Sequence, residues 1–354
     1  MLKPLFKYPG GKASEYKFIA PLVPKHTIYI EPFLGGGAVY WKNQADKYIV
    51  NDFSSEVMAI YKFTKEQNIK FLDTIYEIAY LWDCKSRYQK LVENQLVSIL
   101  QTDNQEGYSL KNILSDEFNH SFFFKNYKEE FALFLEVSFV KKINSLKKIS
   151  QSRTVENLDQ NALGIIGNAI YLLIREIYNN VTFATDEITK TATFFFLREF
   201  AYSSMFRYNK GGKFNVPFGG NSYAKKPLMT RYEQMTDESV VKKLNNTDVM
   251  TGDFSDVLYD LDGAFIFLDP PYDSDFSTYN QHSFDSLEQV RLRDNLLELK
   301  KSKWMLVIKK TKFIEDLYNH RGFFITSFDK QYSVNFKNRN SQSAQHLVIT
   351  NYEV

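Results

Sequence analysis

Residues 264–272 run Ala-Phe-Ile-Phe-Leu-Asp-Pro-Pro-Tyr, an apolar stretch that ends in Asp269-Pro270-Pro271-Tyr272. Those residue types together suit methylation of an exocyclic amine. The lone pair of such a nitrogen is delocalised into its ring, so a methyl donor alone does not make it react. The Asp269 carboxylate and the Pro270 carbonyl could each accept one N–H, which lets the nitrogen approach tetrahedral geometry and aim its lone pair at a sulfonium methyl group. Two prolines fix φ and remove N–H donors, so the turn is stiff and presents acceptors. Tyr272 adds a flat face on which an extruded base could stack. Taken alone, the tetrapeptide also fits an ordinary strand-to-turn transition, because Asp and Pro are common turn residues.

A second element near the start of the chain favours the chemical reading. Thr27-Ile28-Tyr29-Ile30 reads as a short buried strand, followed by Glu31-Pro32-Phe33-Leu34-Gly35-Gly36-Gly37 and the helical-looking Ala38-Val39-Tyr40-Trp41. Glycines between a strand and a helix allow a tight turn and close approach of a ligand to the backbone, as in nucleotide-binding units of open α/β sheets. Lys47-Tyr48-Ile49-Val50-Asn51-Asp52 is a second short strand, and it ends in an acid 17 residues after Gly35. That spacing suits a carboxylate gripping ribose hydroxyls. No Gly-Lys-Ser/Thr follows the loop, so an adenosine ligand without phosphates fits better than a triphosphate.

With both elements in view, the chain resembles the Dam-like (D12 class) DNA adenine-N6 methyltransferases, which use S-adenosylmethionine and release S-adenosylhomocysteine. That family carries four ordered motifs, here Tyr8-Pro9-Gly10-Gly11-Lys12, Phe33-Leu34-Gly35-Gly36-Gly37, the stretch from Arg207 to Gly219, and Asp269 to Tyr272. The resemblance spans roughly residues 3–63 and 190–354. It implies that Tyr8 and Lys12 contact the methionine part of the cofactor, with Glu31, Phe33, Gly35 and Gly37 beneath it. It further implies that Asp52 holds the ribose, that Asp253 and Phe254 bind the cofactor adenine, and that Asp269 lies at the junction of cofactor and target. The chain departs from the family late on. Lys309-Lys310 stands where a Ser/Asn turn is common, and Gln345 where an acid is frequent; Asn338-Arg339-Asn340 keeps an Arg.

Composition is that of a folded protein, with 44% hydrophobic and 24% charged residues in 354, enough for a catalytic core and a second subdomain. No signal peptide is expected, because the first 30 residues are broken by Lys, Gly and Pro. Nor is there an apolar run near the roughly 20 residues that span a bilayer. The expectation is a protein of the cytoplasm of a bacterial or phage-infected cell, with no membrane partner. A single cysteine, Cys84, excludes an internal disulfide and a cysteine zinc cluster. The histidines at 26, 120, 282, 320 and 346 are scattered, so no metal is expected.

A net charge of +2 does not announce nucleic acid, so the local distribution must. Between Ser203 and Arg231 lie Arg207, Lys210, Lys213, Lys225, Lys226 and Arg231, and no acid. Residues 207–219 read as two arms around Gly211-Gly212, a hairpin. A basic hairpin can enter the major groove of duplex DNA, where Arg or Lys matches guanine and Asn matches adenine. Arg207 and Asn209 are the candidates for base contact, and Lys210, Lys213, Lys225 and Lys226 complete the DNA-binding set. A second basic run, Lys141-Lys142 through Lys147-Lys148 to Arg153, reads as a solvated helix face, with phosphate contact as the alternative.

The expected architecture is α/β: a Rossmann-like methyltransferase core, mostly parallel with one antiparallel strand, plus an α-helical insertion and a β-hairpin for DNA recognition. The core takes residues 1–66 and 232–354, and a target-recognition subdomain takes 67–231 with its hairpin at 206–219. Strands are expected at 248–250, 264–268, 304–308, 323–326 and 346–350, with helices over 54–66 and 287–299. Phe131 to Leu135 and Ile165 to Ile177 supply apolar helical faces, which are core. The segment from Thr278 to Phe284 is expected to close over a flipped base. Transfer should be in line and direct, since no Pro-Cys nucleophile of the cytosine-C5 kind is present. The rivals are cytosine-N4 methylation on the same fold, an RNA methyltransferase, and a catalytically idle subunit that only reads DNA. A companion restriction endonuclease and a monomer or weak dimer belong to the expected picture.

Overall fold

Uninterrupted apolar runs of five to seven residues make strands that are buried on both faces of a sheet, and the centre of this fold is built from them. The computed structural model describes residues 1–102, 110, 112–152, 154–271, 284–331 and 343–354. In chain order it opens with α1 (Tyr16–Ile19), β1 (Ile28–Glu31), β2 (Lys47–Asp52) and α2 (Ser55–Lys65). A helical stretch follows: α3 (Ile69–Cys84), α4 (Gln89–Thr102), α5 (Ser115–His120), α6 (Lys128–Ser150), α7 (Leu158–Asn180), α8 (Glu187–Phe200), α9 (Asn221–Ala224) and α10 (Met229–Thr236). The remainder is α11 (Glu238–Asn245), β3 (Thr247–Thr251), β4 (Ala264–Leu268), α12 (Ser286–Glu298), β5 (Lys303–Lys309), α13 (Lys312–Tyr318), β6 (Phe324–Gln331) and β7 (Ser343–Thr350). The chain divides into two compact units, Met1–Lys65 with Glu238–Val354, and Glu66–Asp237.

The first unit holds a seven-stranded sheet in the order β3-β2-β1-β4-β5-β7-β6. Strands β1 to β5 pair in parallel, and β7 alone runs against its neighbours, pairing antiparallel with both β5 and β6. This is the expected mostly parallel core with one antiparallel strand. All five residues of β4 are buried, and so are Trp304 to Ile308 of β5. One face of these strands packs on α12 and α13 through Ile30, Ile266, Leu292, Leu296, Leu306 and Ile314. The sheet grows from β1 to β3 on one side and then crosses to β4 on the other. That reversal opens a crevice at the carboxyl ends of β1 and β4, where open α/β sheets bind ligands.

One local expectation changes. Ala38 to Trp41 is not the start of a full helix; only Tyr40–Lys42 form a short 3-10 turn. Tyr40 and Trp41 point inward and are buried, and the chain must turn back at once to enter β2.

In the second unit α7 is the central helix, because it is buried most of the way round: Ile165, Ala169, Ile166, Ile170, Tyr178 and Tyr171 follow one another around its circumference and all are buried. Side-chain caps fix two helix starts, with Asn68 accepting from the Phe71 N–H at 3.0 Å and Asp186 from the Thr189 N–H at 2.9 Å. Among the described residues no helix is long and apolar enough to cross a membrane.

Ile266 lies at the middle of β4, fully buried among β1, β5 and the α12 side. Ile266→Ala should lower the stability of the first unit by about 2–5 kcal/mol, read as an earlier midpoint in chemical denaturation. An unchanged midpoint would show that the β4 core is not what holds this unit together.

Candidate active site

Four acids sit at the carboxyl edge of the parallel strands: Glu31 ends β1, Asp52 ends β2, Asp253 follows β3 and Asp269 follows β4. Parallel pairing alone puts them on one edge, although they are scattered over the sequence. Asp269 is part-exposed and accepts an ion-paired hydrogen bond from the Lys12 ammonium, which is only 2% exposed. Lys12 is thus brought onto the carboxylate of the tetrapeptide, a contact the sequence did not suggest. Pro270 is buried and Pro271 exposed. The buried Gln289 of α12 donates through Nε2 to the Pro271 carbonyl at 3.3 Å, bracing the turn from below. Tyr272, and the segment from Thr278 to Ser283, lie outside the described residues.

The glycine loop has no room for side chains. A Cβ at Gly35 would lie 2.8 Å from the Tyr8 ring, and one at Gly36 would lie 2.8 Å from Tyr8 Cβ. Gly35 and Gly37 also take positive φ of 49° and 64°, which L side chains avoid. Tyr8 therefore lies directly on the loop. Asp52 accepts the Gly35 N–H at 2.8 Å through one oxygen and through the other holds the turn that leads into α2, taking the Ser54 N–H at 2.9 Å. Its carboxylate shapes the loop as well as standing at the tip of β2. Tyr61 of α2 donates to the Gly35 carbonyl at 3.2 Å from beneath.

Phe33 and Phe254 face each other with ring centroids 5.3 Å apart, and Phe284 closes the group edge-on at 5.4 Å from Phe33. This apolar wall lies beside Asp253, whose carboxylate takes two bonds from the Arg291 guanidinium, at 2.8 and 2.6 Å, and caps the following turn at Ser255. The Arg291 bonds, helped by Ser255, hold the Asp253 carboxyl well below the usual range. Arg291 of α12 also covers the Phe254 ring at 4.2 Å. Sequence reasoning missed Arg291 and Gln289. Both are ordinary polar residues of an amphipathic helix until the fold sets them against the two motifs.

Glu31 is buried and accepts the Tyr29 hydroxyl at 2.6 Å. Burial pushes its carboxyl up to about 8; the Tyr29 bond opposes the rise and the Asp269 charge adds to it. At neutral pH Glu31 is therefore mostly protonated. Among the described residues no group of three or more His, Cys, Asp or Glu side chains could hold a metal ion.

In the second unit, residues 206–219 form the expected excursion, but its arms meet at the isolated bridge Tyr208 to Phe214 and build no strand ladder of their own. They are fastened to α7 instead. Asn179 bonds both the N–H and the carbonyl of Phe214, at 2.8 and 3.1 Å, and the Tyr171 hydroxyl donates to the Val216 carbonyl. Phe206, Phe214 and Val216 are buried beneath. Arg207, Asn209, Lys210, Lys213, Lys225 and Lys226 are all exposed. Asn209 closes the tip: its Oδ1 accepts the Gly211 and Lys213 N–H groups, each at 3.0 Å. A two-bond match to adenine would need that same oxygen, so Asn209 is first a turn-former. Arg231 is drawn back to the buried Glu199 at 3.3 Å. Arg153 and Asn338-Arg339-Asn340 lie outside the described residues.

The strand order, the single antiparallel strand and the glycine loop opposite an Asp-Pro-Pro turn define a methyltransferase core. Comparison with known proteins narrows this. Residues 8–334 match the model of the D12 class N6 adenine-specific DNA methyltransferases, and the chain belongs to that family. It is similar to the type II methyltransferase M.CviBI of Paramecium bursaria Chlorella virus NC1A, with 26% identity over 362 residues covering 99% of this chain and 100% of that protein. It is also similar to the DNA adenine methylase of Serratia marcescens (22% identity, 94% and 93% covered) and to that of Escherichia coli strain K12 (20% identity, 81% and 73%). The protein is an adenine-specific DNA methyltransferase.

The raised Glu31 carboxyl has a consequence for pH. Its ordinary value is 4.5, so above that pH the unfolded chain has shed a proton that the native chain keeps up to about 8. The contribution to stability is complete below the lower value and is lost as pH rises through the higher one. Glu31→Gln keeps the shape and an acceptor for Tyr29, and should remove this part of the decline. Urea denaturation of both proteins from about pH 5 to about pH 9 measures it. Equal pH slopes would show that Glu31 is ionised throughout.

Proposed function

We propose that this chain transfers a methyl group from S-adenosylmethionine to adenine N6 in duplex DNA, after the target base has been flipped out of the helix. The observation that carries this reading is the placement of the Asp269-Pro270 acceptors beside a side-chain-free glycine loop, at the point where the strand order reverses. Tyr8, Glu31, Phe33, Gly35 and Gly37 would hold the methionine part of the cofactor, Asp52 its ribose, and the Phe254 wall its adenine. Asp253, locked to Arg291, would serve that wall by holding its turn, and any direct contact with the cofactor would share oxygens already bonded. The cofactor would supply an electrophilic sulfonium methyl.

The chain's own work is orientation. Asp269 and the Pro270 carbonyl take the two N–H groups of the amine, stiff prolines hold them in place, and Lys12 keeps the carboxylate fixed. Developing positive charge on nitrogen meets the Asp269 carboxylate in a site partly shielded from water. Tyr272 would stack on the flipped base, which helps to offset the few kcal/mol that extrusion costs. The hairpin tip of the second unit would read the duplex, with Arg207 and Lys210 as the base-contacting pair and Lys213, Lys225 and Lys226 on phosphates. The type II names among the relatives support a place in a restriction-modification system in a bacterial or phage-infected cell.

Asp269 should be tested as Asn rather than Ala. Truncation to Ala strands the buried Lys12 charge, at a cost of about 3–5 kcal/mol that would confuse folding with catalysis. In Asp269→Asn the amide oxygen can stay on Lys12, which turns an NH2 donor toward the amine. Turnover should fall about a hundredfold while calorimetric binding of S-adenosylmethionine is retained. Full turnover by this variant would remove Asp269 from the chemistry.

The hairpin residues should separate into two kinds. Arg207→Ala should relax sequence choice by about 1–3 kcal/mol at one base pair. Neutralising Lys213, Lys225 and Lys226 should weaken binding to all sequences and flatten its salt dependence. A duplex library methylated at several salt concentrations reads both, and if neither changes, recognition lies elsewhere in residues 66–237.

A further inference from the structure

Two buried polar side chains take no part in the chemistry above. Glu15 stands three residues after Lys12, and its N–H donates to the Lys12 carbonyl at 3.1 Å. Its own carbonyl accepts the Phe18 and Ile19 N–H groups at 2.8 and 3.3 Å, so one residue joins the turn of residues 8–12 to α1. The Glu15 carboxylate is buried, with one oxygen 3.5 Å from Nδ1 of His346, an imidazole fully buried in β7. Burying such groups is costly, and a contact between them favours one placement of the elements that carry them, which apolar packing alone does not. We propose that Glu15 and His346 are a positioning pair that holds Lys12 on Asp269, a role that rests on the assignment of Asp269 to the target amine.

The sheet register places the pair. Leu268 of β4 is level with Leu306 of β5, and Asp269 follows it. His346 is level with Lys309, three residues further along β5, and therefore lies at the same carboxyl edge two strands away. A closed ring of contacts results. It runs from Asp269 through β4, β5 and β7 to His346, from there to Glu15 and Lys12, and back to Asp269. The Lys12 ammonium rides on a flexible four-carbon stem, so its place depends on where its backbone is held. α1 has two other attachments, the Phe18 ring stacked on Phe328 at 5.1 Å and the Tyr16 hydroxyl donating to the Lys42 carbonyl at 3.3 Å. Loss of the Glu15 contact should therefore loosen the turn without unfolding the unit.

Glu15→Leu, His346→Leu and the double variant test this in the intact chain. Turnover of each single variant should fall about tenfold while the KM for duplex changes little, the pattern of a misplaced group rather than of lost binding. The double variant should be no slower than the slower single, since the two side chains act as a unit. Glu15→Gln keeps an oxygen for the imidazole and should retain turnover. Lys12 itself gives a readout independent of methylation. Acetic anhydride followed by peptide mass spectrometry should label Lys12 little in the native chain and readily in both single variants, with the exposed Lys25 as internal standard. Lys12 labelled with turnover unchanged would uphold the pair and count against the chemistry assigned to Asp269. Lys12 still protected in both single variants overturns the proposal. So do losses confined to the thermal midpoint, or losses of turnover that add in the double variant.

Discussion

A lysine with 2% of its surface exposed cannot remain charged without an anion beside it, and in this protein that anion is Asp269. The contact joins residues 257 apart in sequence, fastening the turn of residues 8–12 to the end of β4. The same turn lays Tyr8 on Gly35 and Gly36, and Asp52 holds the Gly35 N–H from the next strand. Four segments that never meet in sequence are thereby fixed around one crevice. Removing the Asp269 charge would leave the Lys12 charge buried and uncompensated, so the pair couples the integrity of the loop to the carboxylate to which the chemistry is assigned above.

The sheet supplies the rest of the constraint. Parallel strands deliver their carboxyl ends to one edge, and the reversal of strand order between β1 and β4 keeps the neighbouring helices from covering it. Polar residues collect at that edge because the strand ends, unlike the two buried faces of the sheet, can reach solvent or ligand. α12 then braces the edge, with Gln289 under the Asp-Pro-Pro turn and Arg291 over Phe254 and Asp253. The second unit obeys a different logic: a helix buried most of the way round at its centre, with a polar tip carried on aromatic anchors.

Much of this was legible in the sequence because the signals are local. Apolar runs ending in Asp52 and Asp269, and three glycines after a strand, announce strands and loops whatever surrounds them. The family resemblance rests on the same residues, and the strand order agrees with it. What escaped was every contact between elements distant in sequence. Lys12 read as a cofactor contact, and its bond to Asp269 was not foreseen. Asp253 read as a contact of the cofactor adenine, and no motif announced that Arg291, 38 residues on, bonds it. The proton on Glu31 comes from burial, which no motif encodes. Asn209 was partly legible after all, since Asn two residues before a glycine is a turn-former; the attraction of a base contact hid it. The helical unit was hardest, because amphipathic helices show that they pack and not against what.

The central claim is that Asp269 and the Pro270 carbonyl hold the amine that is methylated. A structure of the chain with S-adenosylhomocysteine and a cognate duplex tests it most directly. The account predicts an extruded adenine whose N6 lies about 3 Å from both an Asp269 carboxylate oxygen and the Pro270 carbonyl. An adenine held by other groups, with Asp269 turned wholly onto Lys12, would contradict it.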